Sequence, residues 1–199
     1  LMSLDDDLMV NVDTTDFGAV AAGATATGGT TLTFDVDPAA ASFGTLWLDL
    51  VVDADGSIFD LYIPVDLGAA FADTTAGAGV ISASAQLDGD TSGMADDYSD
   101  PSTCTTYPAT GPDVVIALDL SAGQAVTADL AYTDASMDAV LYVSTDPATP
   151  DLNCLAGVDA DADATETQTF TAATAGVHYL VVDAYGTSTG SPFTLDLTL

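Results

Sequence analysis

The side chains able to do chemistry in this chain are nearly all carboxylates. Asp159-Ala160-Asp161-Ala162-Asp163 sets three of them at alternate positions, with Thr165 and Glu166 just beyond. Carboxylates this close together call for a counterion, and hard oxygen donors select calcium over zinc. An irregular loop would fold Asp159, Asp161, Asp163 and Glu166 around one ion; a solvated acidic turn is the other reading. Asp96 and Asp97, with Asp100 ahead of Cys104, form a second calcium candidate. Asp53-Ala54-Asp55-Gly56-Ser57 starts like a calcium loop, but it lacks the downstream bidentate Glu and reads as a hairpin turn.

Cys104 and Cys154 are the two cysteines. In an acidic, Thr-rich β-protein they suggest one disulfide and an oxidising compartment, with two free thiols as the alternative. Closing a loop of about 50 residues would stabilise the fold by roughly 4 kcal/mol on chain-entropy grounds. One distant histidine does not complete a zinc set. That residue, His178, lies mid-strand among Val177, Tyr179 and Leu180 and reads as a packed or rim histidine. A nucleophilic triad needs a base held by an acid against a nucleophile. A glycosidase needs two facing carboxylates, and no aromatics cluster near the acidic runs. The expectation is a protein that is not an enzyme.

The whole composition points the same way. The 199 residues hold 31 acidic side chains and no Lys or Arg, a formal net charge of −31, with Glu166 the one Glu. A surface without cations has nothing to neutralise phosphates, which excludes nucleic acid and anionic membranes as partners. Schiff-base lysines, P-loops, arginine clamps and lysine isopeptide links are excluded too. Such a charge favours solubility in a crowded or salty medium, and it strains the compact state unless counterions gather. No apolar run is long enough to cross a membrane, so no membrane insertion is expected. No basic segment with an apolar stretch behind it remains at the start, and Leu1 is not an initiator; both suggest a processed form or an excised piece.

Asp, Gly, Thr and Ser disfavour helix, and the elements that must position the carboxylates read as strands. Leu8 to Asp13 follows an acidic triplet and forms one. Leu32, Phe34 and Val36 alternate with Thr and Asp over 30–37, a half-buried strand. Leu46, Leu48, Leu50 and Val52 alternate up to Asp55-Gly56, and the chain resumes at Ile58 as a β-hairpin that Pro64 ends or marks as an edge. Residues 68–79 are mostly Gly, Ala and Thr and read as a linker, with a strand following over 80–87. This predicts an all-β chain of two tandem antiparallel β-sandwiches: residues 1–79 immunoglobulin-like and one strand short, residues 80–199 a second sandwich.

The second half carries Gly89-Asp90-Thr91-Ser92-Gly93-Met94-Ala95-Asp96-Asp97-Tyr98, then Gly111-Pro112-Asp113-Val114-Val115, Ser121-Ala122-Gly123-Gln124, Met137-Asp138-Ala139-Val140-Leu141-Tyr142-Val143 and Gly176-Val177-His178-Tyr179-Leu180-Val181-Val182-Asp183. In this order the motifs over 86–199 resemble the bacterial pre-peptidase C-terminal domain family. The resemblance implies a jelly-roll-like, extracellular, non-catalytic module, found beside secreted proteases and in some members binding calcium or a polymer. The late-strand pair of the family, Tyr or Thr before Tyr, is His178-Tyr179 here, which keeps a ring at that place.

Two functions fit. One is an extracellular or cell-surface structural or adhesive protein, a filament subunit in which an incomplete first sandwich accepts a strand from a neighbour; Leu8, Val10 and Val12 are the donor candidate. Its partner is another copy or another extracellular protein or polymer. The other is an accessory module for substrate binding or secretion in a larger secreted protease.

Overall fold

The structure, a computed structural model, describes residues 1–21, 23–37, 43–98, 102–149, 153–160, 164–186 and 190–199. The chain is all-β and divides into two compact units, Leu1–Gly68 and Ala69–Leu199.

The first unit contains β1 (Met2–Ser3), β2 (Leu8–Val12), β3 (Thr33–Val36), β4 (Gly44–Ala54) and β5 (Ser57–Gly68). Its sheets are β1-β4-β5 and the pair β2-β3. The Asp-Gly turn forms as expected: Asp55 and Gly56 both have positive φ (52° and 80°), the conformation of a two-residue type I′ hairpin. Gly56 N–H donates to the Asp53 carboxylate at 2.9 Å, so that aspartate closes the turn. Two expectations shift. Phe34 is exposed rather than half-buried, and the buried apolar residues among those described in this unit are Leu8 and Leu48. Two sheets of three and two strands leave it short of a seven-stranded immunoglobulin-like sandwich.

The second unit is a β-sandwich. One layer runs β11 (Cys154–Val158), β10 (Ala139–Ser144), β13 (Gly176–Ala184), β8 (Val114–Leu120), β6 (Val80–Ile81); the other runs β12 (Thr165–Thr171), β9 (Ala125–Tyr132), β14 (Pro192–Thr198), β7 (Ala85–Asp90). Pairing is antiparallel except between β6 and β8. The single strand expected over 80–87 is two strands, one in each layer, so the chain changes sheets at 82–84.

The segment read as a linker belongs to this unit. Ala72 and Val115 exchange both backbone hydrogen bonds, at 3.1 and 2.8 Å, and the Phe71 ring meets Phe193 edge-on at 4.8 Å. Gly, Ala and Thr give such a segment no periodicity, yet small residues let its backbone lie against a sheet. The unit boundary therefore falls at Gly68/Ala69 rather than at 79/80.

This packing alters β8. Alternation assigns it one apolar face, Val114, Ile116, Leu118 and Leu120, but Val115 and Asp113 on the other side are also fully buried. Tyr98 and Ala109 cover that second face, together with Val140, Tyr142 and Val181 from the neighbouring strands. The Tyr142 hydroxyl donates to the Tyr98 carbonyl (2.5 Å), and Thr75 N–H donates to the Tyr98 hydroxyl (2.7 Å), which fastens the 91–98 loop over the sheet. The disulfide forms between Cys104, in the single helical turn α1 (Ser102–Thr105), and Cys154 at the start of β11, with Cα atoms 6.2 Å apart.

Candidate cation site

The covered face of the five-stranded layer ends in two aspartates. The β8–β13 register ends with Val114 opposite Val182, and Asp113 and Asp183 are the next residues along each segment. Both are fully buried. Asp113 Oδ2 accepts the N–H groups of Asp97 (2.8 Å) and Tyr98 (2.9 Å), and the Asp113 N–H donates to the Ala95 carbonyl at 3.0 Å. Asp183 Oδ1 accepts the N–H of Ala184 at 2.6 Å. The other two oxygens, Asp113 Oδ1 and Asp183 Oδ2, are buried with no hydrogen-bond partner among the described residues.

Neighbouring buried carboxylates repel, Asp113 helping to raise Asp183, and burial removes the water that would screen them. Burial, helped by Asp96 and Asp97, pushes the Asp113 carboxyl up to about 7 against the pull of its two N–H donors. Burial, with Asp113 and Asp96 adding to it, holds Asp183 well above the usual carboxylate range. Asp96 is also raised, by its own partial burial and then by Asp97. The chain has no Arg or Lys to pair with them, which leaves a proton or a bound cation to neutralise the two carboxyls.

The donors at this place are carboxylate oxygens, the ligand type that hard cations take. Among the described residues no group of three or more His, Cys, Asp or Glu is gathered tightly enough to hold a metal unaided. Calcium does not require one, because it completes its shell with backbone carbonyls and water. Asp113 and Asp183 would supply the carboxylates, and the ion would supply the charge that the chain lacks.

The sequence candidates fare unevenly. Asp96 and Asp97 are brought to Asp113 and Asp183, which in the sequence read only as strand residues. In the other candidate, Asp161 and Asp163 lie outside the described residues, as does Asp100. Asp159 is buried after β11, with Oδ2 lacking a partner among the described residues, and burial, then Asp138 and Glu166, push it up to about 6. Glu166 Oε1 accepts the Ala160 N–H at 2.6 Å, so Asp159 and Glu166 do come together. His178 is buried, its Nδ1 lies 2.9 Å from the Gly176 carbonyl, and its ring faces Phe170. It is a packed residue.

In the first unit, Leu8, Val10 and Val12 form β2 and pair with β3, so the expected donor strand is engaged in its own chain. Among the described strands β5 lies at one end of its sheet and β1 at the other, while β2 and β3 pair on one edge each. Leu48 faces Ile63, Leu50 faces Leu61 and Val52 faces Phe59, so one side of the hairpin is apolar. On β5 that side stays open: Phe59 is 56% exposed and Leu61 54%, while on the opposite side Tyr62 is 64% exposed.

Fold and site together define an all-β protein whose second unit is a disulfide-closed β-sandwich with an acidic pair under one covered face. No protein-family model matches the sequence, and no curated protein matches it. Solved structures similar to it include the pre-peptidase C-terminal domain of collagenase from Bacillus anthracis, 16% identical over 60% of this chain and 92% of that one, with a TM-score of 0.36. The surface-associated copper-binding protein CorA of Methylomicrobium album BG8 is 11% identical over 57% and 92%, with a TM-score of 0.36. A carbohydrate-binding module of the β-sandwich superfamily is 14% identical over 96% and 85%, with a TM-score of 0.29.

Proposed function

We propose that this is a non-enzymatic structural or adhesive protein of the cell exterior, assembling through strand addition at β5, with calcium bound by the second unit. The observation that carries the assembly reading is β5 itself: a 12-residue strand at the end of a sheet, its free edge flanked by exposed Ile58, Phe59, Leu61 and Tyr62. Such an edge is a template for another strand, and proteins that do not use one blunt it with charge or cover it. Here Pro64 and Asp60 interrupt it, and the remainder of 58–63 is apolar. The disulfide supports an oxidising compartment. The buried acidic pair supports calcium.

Native size measured by light scattering and negative-stain imaging tests the assembly. The expected result is a mass above that of one chain, reduced to one chain by Phe59→Asp with Leu61→Asp while the far-ultraviolet circular dichroism stays unchanged. A wild-type protein that is monomeric throughout would end this reading in favour of an accessory module. Deleting residues 1–13 is a poor test, because it removes β1 and β2 together with buried Leu8.

A further inference from the structure

We propose that one face of the β4–β5 hairpin, at Trp47, Asp49 and Tyr62, binds an arginine side chain of a different protein. This goes beyond the assembly reading, which uses the backbone edge of β5, and stands whether or not copies associate.

The β4–β5 register separates the hairpin into two faces. Thr45 pairs with Asp66, Trp47 with Pro64, Asp49 with Tyr62, Val51 with Asp60 and Asp53 with Ile58. The carboxylates of the paired strands, Asp49, Asp53, Asp60 and Asp66, therefore all lie on this face, and the face with Leu48 carries none. Set among them are Trp47, the chain's one Trp and 43% exposed, and Tyr62, which is more open still. A face that meets only water gains nothing from open aromatic rings, so the mixture points to a ligand that rings and carboxylates both attract. A cation is such a ligand, drawn to ring faces by their quadrupole and to carboxylates by charge.

Trp47 and Tyr62 are diagonal neighbours across the strand pair, a spacing of about 7 Å, within reach of one planar group between them. Asp49 is opposite Tyr62 and two residues from Trp47, and its Oδ1 is buried with no hydrogen-bond partner among the described residues. An unpaired buried carboxylate oxygen is costly, and a donor brought by a ligand removes that cost. Rotation about χ2 exchanges the two oxygens, so the covered one can be offered without moving the strand. A guanidinium fits best: it is planar enough to lie on a ring while its N–H fork reaches the carboxylate. Such a side chain cannot come from this chain or from a second copy. Neither has Lys or Arg, and the lone histidine, His178, is buried in the second unit.

The probe is N-acetylarginine amide, titrated into the full chain at constant ionic strength and followed by heteronuclear NMR and by fluorescence, which reports Trp47 alone. The Trp47 indole signal should shift saturably. N-acetylcitrulline amide, similar in shape but uncharged, should give no saturable shift. Asp49→Asn should weaken binding about tenfold, as expected for losing a hydrogen bond to a charged group. Asp55→Asn makes the same change of charge at the exposed turn, where Asn is equally at home, and should leave binding unchanged. Tyr62→Leu, which alters no charge, should weaken binding as well, and far-ultraviolet circular dichroism checks that each variant is folded. No saturable shift with the arginine probe overturns the proposal, and so does equal binding of the citrulline probe. Equal loss in Asp55→Asn overturns it too, because the attraction is then the general field of the chain. Equal binding of N-acetyllysine amide overturns the choice of arginine. Native size enters none of these results, so the assembly reading stands or falls separately.

Discussion

Asp113 and Asp183 are both fully buried without a cation of the protein's own, and most of the testable chemistry lies there. If calcium neutralises them, it stabilises the folded state by mass action, so Tm should rise with added calcium and fall with EDTA. Asp183→Asn separates this from a general salt effect. It removes the repulsion and one carboxylate ligand, so the variant should be more stable than wild type in EDTA and should lose most of the calcium response. An unchanged response would remove the pair as the site. The pH dependence follows from Asp113. Its carboxyl sits at about 7 in the folded state against an ordinary 3.8. Across that interval the folded protein holds a proton that the unfolded chain has released. Stability therefore falls as pH rises through it, Asp113's own share being no more than roughly 4 kcal/mol without calcium, and less where solvent screens the site. Urea unfolding in EDTA at both ends of the interval should show a falling slope in wild type and a shallower one in Asp113→Asn, where Asp183, also raised, keeps its share. Neither residue stands out in the sequence, because each fits a strand alternation. The missing Lys and Arg were legible, and they are what make a buried carboxylate informative.

At the scale of elements, the hairpin and the strands β8, β9, β13 and β14 were readable from their period of two and their turn residues. Asp55-Gly56 needs positive φ at both positions, and local chemistry alone specifies that. The change of sheets between β6 and β7 was not readable, because a short alternating run looks alike whether it feeds one sheet or two. Packing across the layers also sets demands invisible in one strand. Gly89 pairs with Phe193, and a Cβ at 89 would collide with that ring, which is itself held edge-on by Phe71 and Tyr132. Gly89→Val should therefore destabilise the second unit by about 1–3 kcal/mol, although valine favours strands in general. A shift in the urea midpoint reports it, and a neutral or stabilising effect would contradict the packing described.

For the whole molecule, charge dominates. With 31 acidic groups and no bases, folding compresses like charges, and added monovalent salt screens them. Tm should climb with sodium chloride in EDTA, and the climb should shrink once calcium is bound. A Tm independent of salt would mean that local neutralisation already suffices. The two units divide the remaining demands. The second closes its core with two layers and a disulfide, while the first buries little and leaves β5 open.

The sequence by itself determined the all-β class, the hairpin, the two cysteines as candidates for one bond, and the net charge of −31. These follow from residue type and spacing over a few positions, or from counting charges. The tertiary structure decided which second face of a strand is covered, where the unit boundary falls, and which aspartates meet. Asp113 and Asp183 lie just past the last pair of β8 and β13, Val114 with Val182, and that pairing depends on how the whole sandwich packs. A carboxylate becomes chemically demanding only when its surroundings exclude water, and no stretch of sequence states its own burial.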